Sequence, residues 1–269
     1  MHALLVQRGE QIVLERYGGG YHEEKPHALY SGTKSFWGVL AVAAEHDRLL
    51  ELEEPVARTI ASWADGAKAR VTLRQLLQLT SGIGFGGLGA AVPEYAKALA
   101  VELKDEPGEK FTYGGIPLQV FGAVLAQKLA PRALTPHAFL RERILDPIGL
   151  RAGSWRLLKD GTQPLPTGAF LAAREWLKFG LLVRGCGAWK KKTIVPPEGL
   201  ARCFSGSPAN PRYGLCWWLS PLPQAPDVVY ASGSGGQAMY VVPSADAVVV
   251  KFGGSSSYKH DAFLKKLLS

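Results

Sequence analysis

Cysteine is scarce in this chain, with three among 269 residues. Cys186, Cys203 and Cys216 are odd in number and lack paired spacing, which argues against a disulfide framework. The six histidines form no His-Glu-x-x-His motif or close pair, and there is no Cys-x-x-Cys. We therefore expect no metal site and no organic cofactor.

A long hydrophobic run is also missing. The N-terminal segment MHALLVQRGEQIVLERY is interrupted by charged residues too soon for a signal peptide or a membrane span. We expect a cytoplasmic protein with no membrane span, unless a leader has been removed. A Gly-x-Ser-x-Gly motif is absent too, which disfavours an α/β-hydrolase.

The basic-aromatic signatures of nucleic-acid-binding modules are absent, although the net charge is +8. The positive residues are spread along the chain, and the single dense run, at 190–192, is typical of a solvated turn. We therefore expect a small-molecule partner and no nucleic acid. The sequence leaves the oligomeric state open.

The pattern of apolar residues predicts strands at both ends of the chain and helices between them. Two strands lie within 3–17 around a turn at 8–10. Later strands are predicted at 213–219, 228–231, 238–242 and 247–252. Helical spacing is found at 33–52, 73–79, 94–103, 116–130, 135–144, 170–184 and 259–268.

This order predicts a single α/β domain over 1–269, in which both ends of the chain build one sheet flanked by the terminal helices. The α/β lobe would comprise 1–50 and 205–269, and an inserted helical lobe 51–204. A cleft between two such lobes is where a small-molecule site is expected.

The stretch at 30–35, Tyr-Ser-Gly-Thr-Lys-Ser, contains a Ser-x-x-Lys element where a helix begins. Residues three apart share one face of a helix, so Lys34 can reach the Ser31 hydroxyl. A serine becomes a good nucleophile when a base takes its proton, and a lysine serves once burial depresses its pKa. Alone, the pattern fits equally an N-cap serine followed by a solvated lysine.

Further segments follow in a recognisable order. They are LLELEEPV at 49–56, VTLRQLLQLTSG at 71–82, PGEKFTYGG at 107–115, TGAF at 167–170, WLKFG at 176–180, YGLCWW at 213–218 and GSGGQ at 233–237. With the Ser-x-x-Lys element, this order resembles the serine β-lactamase and penicillin-binding-protein superfamily from about residue 4 onwards. The closest likeness is to the class C-like branch, which also holds esterases, amidohydrolases and D-amino-acid peptidases.

The resemblance implies an antiparallel sheet flanked by helices, with the active site between the lobes. It also implies that Ser31 is the acylated nucleophile and Lys34 its base. Tyr113 would move protons between Ser31, the leaving group and water, helped by a lysine ammonium that favours the phenolate. Without the resemblance, Tyr113 also fits a packed aromatic residue.

The third motif of the family maps to Ser234, Gly235 and Gly236. The resemblance implies that the backbone N–H groups of Gln237 and Ser31 form the oxyanion hole. A plain glycine turn between two strands is the alternative interpretation.

Two positions depart from the family's pattern. Gly115 stands where the second motif commonly has asparagine, and Ser234 replaces the cation or aromatic residue of the third motif. Both changes remove donors for the carboxylate and amide groups of β-lactams and D,D-peptides. We therefore predict a serine hydrolase acting on small carboxylic esters, with weak β-lactam or amide hydrolysis. The alternatives are a β-lactamase, a D-amino-acid amidase or peptidase, or a silent ligand-binding member of the fold.

Two more features need an interpretation. The Gly-x-Gly-x-x-Gly pattern at 82–87 follows a helical segment rather than a strand, so we expect a cleft-edge loop and not a dinucleotide site. Aromatic residues could line the cleft, and the candidates are Trp37, Phe85, Tyr213, Trp217 and Trp218.

Overall fold

A computed structural model describes residues 1–86, 91–253 and 258–268. The strands are β1 (Ala3–Arg8), β2 (Gln11–Tyr17), β3 (His27–Ala28), β4 (Ser154–Trp155), β5 (Ala169–Leu171), β6 (Ala188–Trp189), β7 (Lys192–Thr193), β8 (Trp218–Leu219), β9 (Val229–Gly233), β10 (Gln237–Val242) and β11 (Ala247–Phe252). The helices are α1 (Lys34–His46), α2 (Leu73–Leu77), α3 (Tyr95–Leu99), α4 (Ile116–Leu129), α5 (Pro136–Leu140), α6 (Ala173–Arg184), α7 (Pro197–Arg202) and α8 (His260–Leu268).

The main sheet joins the two ends of the chain, as the sequence predicts. Its strand order is β2-β1-β11-β10-β9-β8, and every neighbouring pair is antiparallel. The predicted turn after β1 is present, with Gly9 at a φ of +57°. The α/β class and the antiparallel sheet flanked by helices are confirmed.

Side chains alternate between the two faces of this sheet, so each face has its own core. Leu5, Met239 and Val250 lie in the larger core, which extends into the helices of the middle region. Tyr240 and Val249 lie on the opposite face with Leu264 of α8. The sheet is therefore a central layer, buried on both sides.

Helix α6 packs against β1, β10 and β11. Its last residue, Arg184, donates hydrogen bonds to the carbonyl oxygens of Gly9 (2.6 Å) and Asp246 (3.1 Å). This helix comes from the range predicted for the helical lobe, 51–204, yet it lies on the sheet. Sequence spacing alone did not indicate this return to the sheet.

Several predicted elements are shorter in the structure. The helix expected over 33–52 ends at His46, because Arg48 adopts a left-handed backbone with a φ of +60°. The strand expected over 213–219 is reduced to β8, since Cys216 has a φ of +62° and the Gly214 N–H donates to the Trp217 carbonyl at 2.9 Å. In both cases a tight turn of the backbone ends the predicted element earlier than the sequence pattern does.

Strand β9 approaches the turn at 30–33, which precedes α1, very closely. A Cβ atom on Gly233 would lie 2.0 Å from the carbonyl oxygen of Leu29, so only glycine fits at this contact. Tyr30, in that turn, has a φ of +48°, and such strain in a non-glycine residue is common beside active sites. The end of β9 is thus held against the segment that carries Ser31.

Among the residues that the structure describes, no helix is long and apolar enough to cross a bilayer. Likewise, no group of three or more His, Cys, Asp or Glu side chains among these residues is arranged to hold a metal ion.

Candidate active site

Ser31 and Lys34 meet at the start of α1. Ser31 lies in a 3-10 turn, Tyr30–Thr33, that runs directly into the helix. The Lys34 Nζ donates to the Ser31 Oγ at 2.9 Å and to the Pro166 carbonyl oxygen at 3.2 Å. The alternative of an N-cap serine beside a solvated lysine is excluded, because Lys34 is only 2% exposed and no side chain caps the turn.

Burial changes the protonation of Lys34. Removing the ammonium group from water disfavours its charge and lowers the pKa of Lys34 to about 8. A substantial fraction of the amine is therefore neutral in mildly alkaline solution. A neutral amine 2.9 Å from a hydroxyl has the position and the lone pair needed to accept its proton.

Tyr113 completes a group of three polar side chains. Tyr113 lines the same cavity as Ser31, and the Lys34 Nζ lies 4.9 Å from the centre of its ring. Burial raises the pKa of Tyr113 to about 12, so the phenolate that we expected Lys34 to favour is not the prevailing form near neutral pH. Tyr113 is a neutral phenol that can donate a proton.

Gly115, which departs from the family's pattern two residues after Tyr113, makes a backbone contact with the segment at 84–86. Gly115 directly precedes α4, and its N–H donates to the Gly86 carbonyl oxygen at 3.2 Å. A Cβ on the neighbouring Gly114 would lie 3.1 Å from the same oxygen. The backbone at 114–115 therefore lies against the Gly86 carbonyl oxygen.

The residues assigned to the third motif divide into two groups in the structure. Ser234 lines the cavity that contains Ser31, and so do Ser232 and Gly233 before it. Gly235 and Gly236 form the tip of the turn between β9 and β10, with φ values of +76° and +74°. They are not among the cavity-lining residues in the described part of the chain.

Gln237 lies behind this turn. It is 2% exposed, and its backbone pairs with Gly233 at the start of β10. Its side-chain amide donates to the carbonyl oxygens of Ser234 (3.1 Å) and Gly235 (3.0 Å), while its Oε1 accepts from the Gly253 N–H at 2.7 Å. The Gln237 side chain therefore stabilises the turn between β9 and β10, and Gln237 is not among the described residues that line the cavity.

The cavity, which we call the cleft, has a volume of about 540 Å³. Its lining residues are Tyr30, Ser31, Tyr113, Thr167, Trp218, Ser232, Gly233 and Ser234. Neither lysine nor arginine occurs in this described lining. The walls offer aromatic faces, neutral hydroxyls and backbone groups.

Of the five aromatic residues expected at the cleft, the structure places only Trp218 there. Its ring stacks on Tyr113 with the centroids 5.6 Å apart. Trp37, Tyr213 and Trp217 are buried in the core, and Phe85 is 69% exposed outside the cleft lining. Aromatic residues are common in both places, so their identity alone could not separate lining from core.

Sequence reasoning did not assign Thr167 or Ser232 to the site. Both stand in or beside segments that carried the resemblance, at 167–170 and 233–237, which was the available signal. Pro166 contributes a backbone oxygen to Lys34, and side-chain patterns hold no information about such a contact.

The glycine pattern at 82–87 follows α2 and a turn, not a strand. The Gly82 carbonyl accepts from Lys104 at 2.8 Å, and Ile83 bridges to Leu103. This context does not match a dinucleotide-binding loop. The last glycine of the pattern, Gly87, lies outside the described residues.

Comparison with known proteins agrees with this architecture. The family model described as Beta-lactamase matches residues 2–253, so this chain belongs to the β-lactamase family and is a hydrolase of that fold. No curated protein sequence is significantly similar to it.

Solved structures share the fold at low sequence identity. A candidate β-lactamase from Bacteroides dorei DSM 17855 superposes with a TM-score of 0.83 at 19% identity, over 99% of this chain and 92% of that one. EstCE1, a hydrolase with promiscuous acyltransferase activity, gives 0.74 at 17% identity, over 93% and 87%. A D-stereospecific amidohydrolase from Streptomyces sp. gives 0.71 at 17%, over 92% and 87%.

Proposed function

We propose that this chain is a serine hydrolase that forms an acyl-enzyme on Ser31, and that its substrates are small carboxylic esters. One observation carries the proposal. The Ser31 Oγ lies in the wall of an open cleft, 2.9 Å from the amine of a buried lysine whose pKa is about 8.

In the first step, the neutral Lys34 amine takes the Ser31 proton while the Oγ forms a bond to the ester carbonyl carbon. The carbonyl π electrons move to its oxygen, which becomes an oxyanion. As the tetrahedral intermediate collapses, the carbon–alkoxy bond breaks and the leaving oxygen receives a proton. Tyr113, held as a neutral phenol beside Ser31, donates that proton and regains one from the Lys34 ammonium.

In the second step, water attacks the acyl-enzyme. The Lys34 amine accepts a proton from that water, the Ser31–acyl bond breaks, and Ser31 is reprotonated as the carboxylic acid leaves. Lys34 therefore serves as the proton acceptor in both halves of the reaction, first from Ser31 and then from water.

The oxyanion needs two fixed N–H donors, of which Ser31 supplies one. The sequence assigns the second to Gln237. The cleft lining supports the Ser234 N–H instead, because Ser234 faces the cavity at the end of β9 whereas Gln237 lies behind the turn. We therefore include the Ser31 and Ser234 N–H groups in the proposed mechanism.

The lining also supports an uncharged substrate. A β-lactam presents a carboxylate, and the described wall offers it neither a lysine nor an arginine. Trp218 and Tyr113 offer flat apolar faces suited to a small acyl or alkoxy group. An ester also needs less leaving-group activation than an amide.

The experiment is hydrolysis of p-nitrophenyl butyrate by the wild-type protein and by Ser31→Ala, with a chromogenic cephalosporin as the second substrate. Ser154, exposed on β4 and outside the cleft, provides the matched control Ser154→Ala. We expect ester turnover to disappear in Ser31→Ala and to persist in Ser154→Ala. Wild-type rates in Ser31→Ala would refute the mechanism.

Labelling by a fluorophosphonate gives a readout that does not depend on the choice of ester. We expect one adduct on the wild-type protein, located at Ser31 by peptide mass spectrometry. An unlabelled Ser31 together with no turnover of either substrate would instead favour a silent ligand-binding protein.

A further inference from the structure

The Ser232 hydroxyl connects the cleft to a row of polar side chains on the α8 face of the sheet. The Ser232 Oγ lies 3.0 Å from the His260 Nε2 on α8. The His260 Nδ1 lies 2.7 Å from the Tyr240 hydroxyl, which lies 2.6 Å from the Tyr258 hydroxyl. Residues from β9, β10 and the start of α8 thus form one continuous hydrogen-bonded row that begins in the cleft wall.

The surroundings of His260 are mainly aromatic. Its ring centroid lies 4.7 Å from that of Tyr230, 5.2 Å from Tyr258 and 5.8 Å from Tyr240. The charged groups that act on it are Lys251 of β11 and Asp261, its neighbour on α8. Burial, reinforced by the Lys251 charge, lowers the pKa of His260 to about 4, so the imidazole is neutral near pH 7.

A neutral imidazole has one N–H and one bare nitrogen, which leaves two directions for the row. In the first, Tyr258 donates to Tyr240, Tyr240 donates to the His260 Nδ1, and the Nε2–H donates to Ser232. In the second, every one of these bonds is reversed, and the Ser232 hydroxyl donates its proton to the His260 Nε2.

Lys251 favours the first direction. Its Nζ lies 4.1 Å from the centre of the ring of Tyr258, and Tyr258 is the last member of the row counted from Ser232. A positive charge there is stabilised when the hydroxyl oxygens point towards it and their protons point away. In that arrangement the Ser232 oxygen accepts from His260, and the Ser232 proton is left for a partner in the cleft.

We propose that His260 is a positioning residue, which holds the Ser232 hydroxyl so that its proton is donated to an oxygen of the bound substrate. This inference rests on the proposed function, since it takes the cleft around Ser31 as the substrate site. It assigns the sheet side of the cleft a neutral, oriented donor in place of a cation. Such a donor suits an uncharged acceptor, such as an ester oxygen.

The first test is a double-mutant cycle on p-nitrophenyl butyrate hydrolysis. We expect Ser232→Ala and His260→Phe each to raise KM about five- to tenfold with a smaller change in kcat, in line with one lost hydrogen bond. The double variant should be no worse than Ser232→Ala alone, because His260 acts through Ser232.

Two further variants separate positioning from packing. His260→Gln keeps an N–H donor at about the reach of the Nε2, so it should recover most of the loss in KM. Phe263 packs on Tyr240 from the same helix, with ring centroids 5.4 Å apart, and Phe263→Leu should leave KM unchanged. Additive losses in the cycle, equal losses in His260→Phe and His260→Gln, or a raised KM in Phe263→Leu would overturn the proposal.

The second test needs no turnover and uses the unaltered chain. Nitrogen NMR of the histidine-labelled protein should show His260 with a protonated Nε2 and a bare Nδ1 from pH 5 to 9. A protonated Nδ1 would overturn the orientation, even with Ser31 labelled by a fluorophosphonate. An unlabelled Ser31 beside a protonated Nε2 would refute the hydrolase mechanism instead, so the two failures are distinguishable.

Discussion

The two walls of the cleft differ in what their side chains can do. On the helix wall, Lys34 donates to Ser31 and lies over the ring of Tyr113, and the pKa values of the lysine and the tyrosine are strongly shifted. On the sheet wall, Ser232 and Ser234 present neutral hydroxyls and backbone. The serine, lysine and tyrosine of the family's pattern are kept on the first wall, although Gly115 replaces an asparagine next to them, and Ser234 departs from the pattern on the second. The comparison teaches that the Ser31–Lys34 contact and the lowered pKa of Lys34 are present in a cleft whose described lining holds no cation.

Removing the base should lower activity more than any other change to the helix wall. In Lys34→Ala, the Ser31 proton has no acceptor, so we expect kcat/KM for p-nitrophenyl butyrate to fall by about 10³-fold or more, on the order of 4 kcal/mol. Lys178→Ala, which removes a lysine that bonds the Gly149 carbonyl, is the matched control and should keep wild-type activity. A loss below about tenfold in Lys34→Ala would remove Lys34 from the mechanism.

Tyr113 should matter less than Lys34, since it donates a proton but does not activate Ser31. Tyr113→Phe keeps the ring that stacks on Trp218 and removes only the hydroxyl. We expect about a 10²-fold loss in kcat, the lower range for a general acid. The loss should shrink for esters with better leaving groups, and steady-state kinetics over a series of substituted phenyl esters measures this. A constant loss across the series would argue for a packing role.

The pH dependence of activity should distinguish Lys34 from Tyr113, the two residues of the helix wall whose pKa values are shifted. Lys34 must be neutral to accept a proton, so kcat/KM should fall about tenfold for each pH unit below its pKa of about 8 and level off above it. The Ser31→Ala rate is subtracted as background. Tyr113→Phe should keep the same profile, because the pKa of Tyr113, about 12, lies above the measured range. A flat profile from pH 6 to 9 would contradict the role of Lys34.

Much of the fold could be predicted, because its signals are local. The apolar runs within 3–17 and at 247–252 indicate strands wherever the chain later places them. The ends of elements were harder to predict. Arg48 and Cys216 adopt positive φ values where the chain turns, and neither residue type predicts such a turn.

The candidate site divides in the same way. Ser31 and Lys34 are three residues apart on one helical face, so their contact is a local property. The segment at 233–237 contains Gly233, Gly235 and Gly236, and only the pairing of β9 with β10 decides which of them reaches the cleft. The contact between Ser232 and His260 joins residues 28 apart, and no local pattern connects them.

The smallest effect is expected from restoring a cation to the sheet wall with Ser234→Lys. Ser234 is exposed in the turn after β9, so an ammonium group there attracts a substrate carboxylate through solvent, which screens the interaction. We expect kcat/KM for a cephalosporin to rise about two- to fivefold, and that for the uncharged ester to change less than twofold.

Ser234→Gln, a neutral side chain of similar reach, is the control for this gain. Because the effect is electrostatic, it should be absent from Ser234→Gln and should diminish as the salt concentration rises from 0.05 to 0.5 M. An equal gain in both variants would mean that added contact area, and not charge, limits carboxylate substrates. A gain confined to the lysine variant would show that the two walls can be altered separately, since activation of Ser31 is unchanged while the preferred substrate shifts.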